Sequence, residues 1–444
     1  MKIVIAGAGE VGCHLAKLLS REDQEITVVD DNIERLAFLD ANYNLLTING
    51  SPTSFAALKS AGVKKCDLFI AVTPSETANL LACSIARSFG AKKAVARIDN
   101  YEYMEPDQLA FFSEKGISQL IYPEYLAALE IIKALERNWV RFWFEIHGGE
   151  LIVVGIKIRE NARLAGKKLK ELSVSEHFFH VTAIKRNHET IIPRGDDIVR
   201  PNDIIFFTTT QDYIEDLREI CGKTSHDLQR IVIVGGSHIA IRLIDLAGDR
   251  YQFKIIESNR NRCQQLCELC PNAQIVNADG RDIDTLIEEG IDTTDVFISL
   301  TESSETNIIA SLSAKEQGVK KTIAEVEDLQ FISFAENLNI GTILNKKLLL
   351  SGCILQAMID ADVESSKFMA LADGDVADIE VREGAKVTKV QVKDLKLPHD
   401  LTIAGLIRDG HGMLVRGDTQ IKPGDHVVVL FLNTALKKIE KLFT

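Results

Sequence analysis

Two rhythms of apolar residues alternate along the chain. From residue 1 to about 120, apolar runs of strand length alternate with amphipathic stretches at helical spacing. The runs 3–6, 25–29, 44–48, 68–72 and 93–98 predict strands, and 11–19, 33–39, 55–60 and 79–89 predict helices. Strands that are apolar throughout and alternate with helices predict a parallel sheet covered on both faces. Pro123 opens a further helix over 124–135, with Leu126, Leu129, Ile132 and Leu135 as an apolar stripe. Its own domain or another subunit could cover that stripe. From about 139 to 222 the rhythm shifts to short alternating strands at 151–158, 180–186 and 203–209, closed by a helix at 213–220. Turns such as Arg194-Gly195-Asp196 split them, which predicts a small α+β domain.

Both rhythms recur. Lys2-Ile3-Val4-Ile5-Ala6-Gly7 returns as Arg230-Ile231-Val232-Ile233-Val234-Gly235, and Thr73, Asn79 and Gly90 return as Thr301, Asn307 and Gly318, all 228 residues on. Arg194-Gly195-Asp196 and Pro201-Asn202-Asp203 return as Arg416-Gly417-Asp418 and Pro423-Gly424-Asp425, 222 residues on. A repeat this long is a duplicated pair of domains, not a solenoid. The fold class expected is α/β: two Rossmann-like, doubly wound parallel-sheet domains, each followed by a small α+β domain. The boundaries expected are 1–123, a crossover helix at 124–138, and 139–222. The second half repeats them as 228–347, a crossover helix at 348–362, and 363–444, after a polar linker.

At 444 residues, 46% of them hydrophobic, the chain exceeds one core and has enough apolar material for several. A net charge of −13 argues against nucleic acid, whose phosphates call for a basic footprint. The longest apolar runs, such as 151–156 and 427–432, are strand-sized and far short of a membrane span. No secretory leader or lipidation signal is read, and the eight scattered cysteines are expected as free thiols in a reducing compartment.

The strongest chemical motif is Gly7-Ala8-Gly9-Glu10-Val11-Gly12, between a predicted strand and a predicted helix. Gly7 permits a tight turn, Gly9 leaves room for a pyrophosphate, and Gly12 lets helix and strand pack closely. Phosphates would meet the free N–H groups at the helix start. Asp30 ends the second strand, where a carboxylate accepts from a ribose diol and repels a 2′-phosphate, favouring NAD over NADP. In the second copy the turn reads Gly235-Gly236-Ser237-His238-Ile239-Ala240, with Glu257 as the strand-end acid. Ser237 crowds the pyrophosphate position while Glu257 suits a ribose, so binding and an empty cleft both stay open there. Thr73-Pro74-Ser75 and Thr301-Glu302-Ser303 follow the fourth strands, at the sheet edge where ligands lie, and also suit helix caps. Arg97 ends a strand where the second copy has Glu325, so the first cleft is the better anion binder.

Cys263, Cys267 and Cys270 recur at helical spacing, but no nearby histidine or fourth cysteine completes a zinc set, so packing is expected. The ten histidines show no metal-protease spacing. No Tyr-x-x-x-Lys pair, nucleophile elbow or P-loop appears. A nicotinamide oxidoreductase needs a proton-handling group, so ligand sensing without turnover is the expectation, and an NAD-dependent oxidoreductase of unknown substrate is the alternative.

These motifs, the strand-end run Val95-Ala96-Arg97-Ile98 and the domain order resemble the tandem RCK (KTN) family, regulators of K⁺ conductance, over essentially the whole chain. The resemblance implies a peripheral regulatory protein of a bacterial Trk-type potassium-uptake system, acting on the cytoplasmic face of an integral membrane K⁺ subunit. It implies NAD(H) in the first cleft and NAD(H) or ATP/ADP in the second. It also implies homo-oligomers, dimers or tetramers, formed through the Rossmann-type domains and the crossover helix. Gly50 and Ser51 fall at the adenosine end of the first cleft. Ser51 stands where the second copy has Asp279, so the two ends differ.

Overall fold

The computed structural model describes residues 1–20, 24–175, 178–186, 189–224, 228–338, 340–359, 367–371, 374–432 and 442–443. The first half begins with β1 (Lys2–Ala6), α1 (Glu10–Leu19), β2 (Glu25–Asp30), α2 (Ile33–Asn42), β3 (Leu46–Asn49) and α3 (Phe55–Ser60). It continues with β4 (Leu68–Ala71), α4 (Glu76–Phe89), β5 (Lys93–Arg97), α5 (Pro106–Glu114), β6 (Gln119–Ile121) and α6 (Pro123–Glu136). A strand-rich segment follows: β7 (Phe142–Ile146), β8 (Leu151–Lys157), α7 (Leu169–Ser175), β9 (His180–Arg186), β10 (Glu189–Ile191), β11 (Ile204–Thr209) and α8 (Ile214–Ile220). The second half opens with β12 (Arg230–Val234), α9 (His238–Ala247), β13 (Gln252–Glu257), α10 (Arg260–Leu269), β14 (Ala273–Asn277) and α11 (Ile283–Glu288). Then come β15 (Val296–Ser299), α12 (Ser304–Glu316), β16 (Lys321–Glu325), α13 (Leu329–Asn337), β17 (Thr342–Leu344) and α14 (Lys346–Ile359). The last segment holds β18 (Lys367–Leu371), β19 (Gly374–Glu380), β20 (Leu401–Arg408), β21 (His411–Met413) and β22 (His426–Phe431).

The described residues form two compact units, and each draws on both halves of the chain. One comprises residues 1–133 and 228–360, the other 134–227 and 361–444.

The first unit holds two parallel sheets with one topology. Their strand orders are β3-β2-β1-β4-β5-β6 and β14-β13-β12-β15-β16-β17. The order reverses between β1 and β4, and between β12 and β15, which opens a crevice at the carboxyl edge of each sheet. Successive β1 side chains serve opposite faces: Ile3 and Ile5 enter one core, Val4 and Ala6 the other. That two-sided burial is why the strand reads as an unbroken apolar run. The helices after each sheet begin with Pro123 and Lys346, ahead of the expected 124 and 348. Leu350 and Ile354 of α14 join the core built on Ile3, Ile5 and Leu15, so the second copy's helix completes the first copy's domain. On α6 the buried positions include Ala127, Ala128 and Ile131 besides Ile132 and Leu135, a wider surface than the leucine stripe. α5, β6 and β7 were not anticipated: α5 buries none of its residues and β6 has only three.

The second unit holds two antiparallel sheets, ordered β10-β9-β11-β8-β7 and β18-β19-β22-β20-β21. Along β8, Ile152, Val154 and Ile156 face a core with Leu217 and Ile220 of α8. Leu151 and Val153 face the other way and share a core with Val376, Ala404, Val428 and Leu430 of the second small domain. Each domain carries a buried ion pair. Arg186 sends Nε and one terminal nitrogen to Asp203 at 2.9 and 2.7 Å, and Arg408 does the same to Asp425 at 2.8 and 2.7 Å. The turns before these aspartates hold Asn202 at φ 73° and Gly424 at φ 83°, a region those residue types tolerate best. The recurring Pro-x-Asp motif is therefore a packing device.

Candidate functional site

The first crevice is built around a glycine turn that each glycine serves differently. Gly7 lies at φ +111°, and a Cβ there would sit 3.0 Å from the Thr73 amide nitrogen. A Cβ on Gly12 would lie 1.9 Å from the Gly7 carbonyl oxygen, so glycine alone allows α1 to lie this close to β1. A Cβ on Gly9 would meet nothing within 4 Å. The space over Gly9 is open, and Gly9 is the N-cap of α1 with no side chain to cap the helix. Orphan N–H groups at the positive end of α1 thus face open space, the arrangement that receives an anion.

Asp30 borders this turn. Only 7% exposed, it accepts from the Ala8 amide at 2.5 Å and from the Asn32 amide at 2.8 Å. An ionised carboxylate has about four acceptor positions, so capacity remains for a ribose diol. Gly50 donates its amide to the Asp30 carbonyl at 2.9 Å, and Ser51 shares a hydrogen bond with Thr53 at 2.9 Å. Val11 is half-buried on α1. Pro74 is exposed beside the crevice. Arg97 pairs with Asp99 at 3.0 Å, and its Nε is buried without a partner.

The second crevice keeps the clamp and alters the cradle. Glu257 accepts from the Gly236 amide at 2.8 Å and the Asn259 amide at 2.7 Å, reproducing the grip of Asp30. Gly235 keeps the left-handed turn at φ +98°. Ser237 fills the position of Gly9, and its hydroxyl accepts from the Ala240 amide, capping α9 from within. Arg262, which sequence reasoning missed, donates Nε to the Gly236 carbonyl at 2.7 Å. Ile239 is buried. Burial, then Arg262, holds His238 below the ordinary histidine pKa against the pull of Glu124. Asp279 is gripped by Arg281, whose hydrogen bonds bring its carboxyl down to about 2. The corresponding ends of the two crevices therefore differ: hydroxyls in the first, a carboxylate–guanidinium pair in the second.

A charge cluster joins the two domains of this unit. Lys346 lies 3.0 Å from Glu325, 3.3 Å from Glu327 and 3.7 Å from Glu124. Burial raises Glu325 to about 7, with Lys346 pulling the other way. Burial lowers Lys346, but the surrounding carboxylates outweigh it and the amine is raised. Lys347 pairs with Glu10 in the first glycine turn. One sequence signal could have exposed this cluster. Lys346-Lys347 opens α14 where Pro123-Glu124 opens α6, a charge reversal between equivalent positions.

The three recurrent cysteines do not converge. Cys263 and Cys270 are buried and Cys267 is exposed. Burial raises both buried thiols, Cys270 to about 11. Among the described residues no helix is long and apolar enough to cross a membrane.

Comparison with known proteins gives the chain its relatives. The TrkA-N domain model matches residues 3–123 and 231–346, and the TrkA-C domain model matches 153–222 and 376–444. The Trk system potassium uptake protein TrkA of Halomonas elongata is 29% identical over 456 residues, covering 100% of this chain and 98% of that protein. A TrkA homolog of Archaeoglobus fulgidus is 31% identical over 447 residues, covering 100% of both. The GsuK RCK domain superposes with a TM-score of 0.60 at 15% identity, covering 100% of this chain and 94% of that one. A GsuK channel bound to NAD gives a TM-score of 0.60 at 16% identity, covering 100% and 78%. Two parallel-sheet domains and two small antiparallel domains in this order, matched along the whole length, make the chain a member of the TrkA family, with its TrkA-N and TrkA-C domains in tandem duplicate.

Proposed function

We propose that this chain is a nucleotide-responsive regulatory subunit of a Trk-type potassium-uptake system. The observation that carries the reading is the uncapped start of α1 facing open space over Gly9, with the Asp30 carboxylate beside it. That cradle suits NAD(H): the pyrophosphate on the α1 amides and the adenosine ribose on Asp30, with Gly50 and Ser51 at the adenosine end. The second crevice, with Ser237 in place and Arg262 nearby, takes NAD(H) or ATP/ADP more weakly. A ligand shifts an equilibrium only through different affinity for its two states. The Glu10–Lys347 pair supplies such a difference, because phosphate charge at the head of α1 competes with Glu10 for Lys347. The partner is an integral membrane K⁺ subunit, reached from the cytoplasmic face through protein contacts, and the regulator works as a homo-oligomer, dimeric or tetrameric. The oxidoreductase alternative finds no support among the relatives above.

The test is K⁺ flux through proteoliposomes carrying a Trk-type membrane subunit, with the chain added at graded NADH, NAD, ATP and ADP. Flux that responds to nucleotide only when the chain is present supports the reading. Flux indifferent to the chain at every nucleotide concentration overturns it.

A further inference from the structure

The two small domains bring together three metal-ligating side chains that are far apart in sequence. His147 Nε2 lies 2.6 Å from Asp378 Oδ2, and His426 Nδ1 lies 3.3 Å from Asp378 Oδ1. The ligand atoms all fall within 4.8 Å of one another, the only such group among the described residues. Asp378 is 8% exposed, and its Oδ1 is buried with no hydrogen-bond partner. A buried carboxylate oxygen without a hydrogen bond is costly, and a cation at this point would satisfy it.

The backbone is shaped to make this meeting. On one face of the second small sheet, Asp378 and His426 are diagonal neighbours, because His426 pairs with Glu380 in the β19–β22 register. His147 arrives from the first small domain. It lies at φ 49°, followed by Gly148 at φ 68° and Gly149 at φ 101°, so the chain turns sharply as it leaves β7. A left-handed backbone at a non-glycine residue costs energy, and such positions cluster where function requires them. The triad is not a by-product of the duplication. Gly155 pairs with Phe206 as Asp378 pairs with Val428, so glycine stands where Asp378 does in the first copy. Ile204 stands where His426 does, 222 residues earlier.

We propose that His147, Asp378 and His426 form a binding site for a divalent transition metal, zinc above all, that ties the two small domains together. Two imidazoles and one carboxylate suit zinc and its neighbours and disfavour magnesium and calcium, which prefer oxygen donors. Three protein ligands leave one tetrahedral position for water or a further ligand. His147 and His426 are both half-buried, which leaves that position a route to solvent.

The experiment uses the full chain, stripped with chelator and titrated with zinc chloride by calorimetry, alongside His426→Gln and His147→Asn. Cobalt provides a second readout through the visible bands of its tetrahedral complexes. The wild type should take one equivalent that raises its thermal midpoint. Each variant, equally folded without metal, should bind that equivalent at least about 100-fold more weakly. Cys267→Ser should retain it, which separates this site from the exposed thiol. A wild type that binds no zinc, or His426→Gln that binds it with unchanged affinity and cobalt spectrum, would overturn the proposal and leave a His147–Asp378 hydrogen bond with His426 beside it. A variant unfolded without metal is replaced in the comparison by Asp378→Asn, read by the same cobalt bands.

Discussion

Asn79 and Thr73 exchange three hydrogen bonds. The Thr73 amide and hydroxyl both reach Asn79 Oδ1, at 2.9 and 2.7 Å, and Asn79 Nδ2 returns to the Thr73 carbonyl at 3.0 Å. Nδ2 also donates to the Arg97 carbonyl at 3.0 Å, so one fully buried side chain ties the ends of β4 and β5. Asn307 and Thr301 repeat the arrangement. The Thr73 hydroxyl is thus committed to the scaffold at the crevice edge. Asn79→Ala should lower stability by at least about 2 kcal/mol, since unmade buried hydrogen bonds cost about 1–3 kcal/mol each. Urea unfolding measures this, and an unchanged midpoint would remove the scaffold role.

Two glycines of the first turn should part company on substitution. Gly9→Ala adds a methyl to open space at an extended backbone position, so thermal stability should hold while NADH affinity falls about tenfold or more, at least ~1.4 kcal/mol. Gly12→Ala drives a Cβ into the Gly7 carbonyl and should cost roughly 1–3 kcal/mol of stability. Unaltered nucleotide binding by Gly9→Ala would locate the phosphates elsewhere.

Ser237→Gly should open the second crevice. Replacing a serine N-cap with glycine costs only a few tenths of a kcal/mol, and it frees the Ala240 amide. Calorimetry should register tighter nucleotide binding attributable to the second crevice. No gain would mean that Arg262, not Ser237, closes it.

Asp30 should set cofactor choice. NAD(H) is expected to bind at least about tenfold more tightly than NADP(H), because a 2′-phosphate would face this carboxylate. Equal affinities would sink the assignment. Asp30→Asn should narrow the gap while keeping part of the grip on the Ala8 amide.

Glu325 should leave its mark on the pH profile. Its folded pKa, about 7, exceeds the ordinary 4.5, so the native state binds its proton more tightly than the unfolded chain does. The stability this contributes is full at low pH and is lost as pH rises from about 4.5 to about 7. Glu325→Gln should gain on the wild type across that window by about 1–3 kcal/mol. The groups around it, Lys346, Glu327 and Glu124, stay in place in both proteins. Parallel profiles would mean that Glu325 is ionised throughout.

Much of the architecture was legible because it rests on local rules. Gly7 and Gly235 mark turns at positive φ, and Gly90 and Gly318 close helices in the same region. The run 151–156 is apolar throughout because β8 is buried on both faces. What escaped reading depends on which element meets which across hundreds of residues. The charge reversal at Lys346-Lys347 marks a site but does not name Glu10 as its partner, and nothing near His147 points to Asp378 or His426, because domain pairing brings them together. α5 escaped for the opposite reason: it buries none of its residues, so it leaves no apolar stripe.

Leu350 and Ile354, which complete the core around Ile3 and Ile5, also set a timetable for biosynthesis. At roughly 5–20 residues per second, a ribosome delivers Leu350 about 20–70 s after Ile3. Throughout that interval the core of the first domain lacks the two side chains that complete it, although Leu126 of its own α6 already packs there. The duplicated gene therefore yields no two modules that mature one after the other. It yields a fused dimer whose earlier half waits for the later one, with chaperones as its natural escort in the meantime.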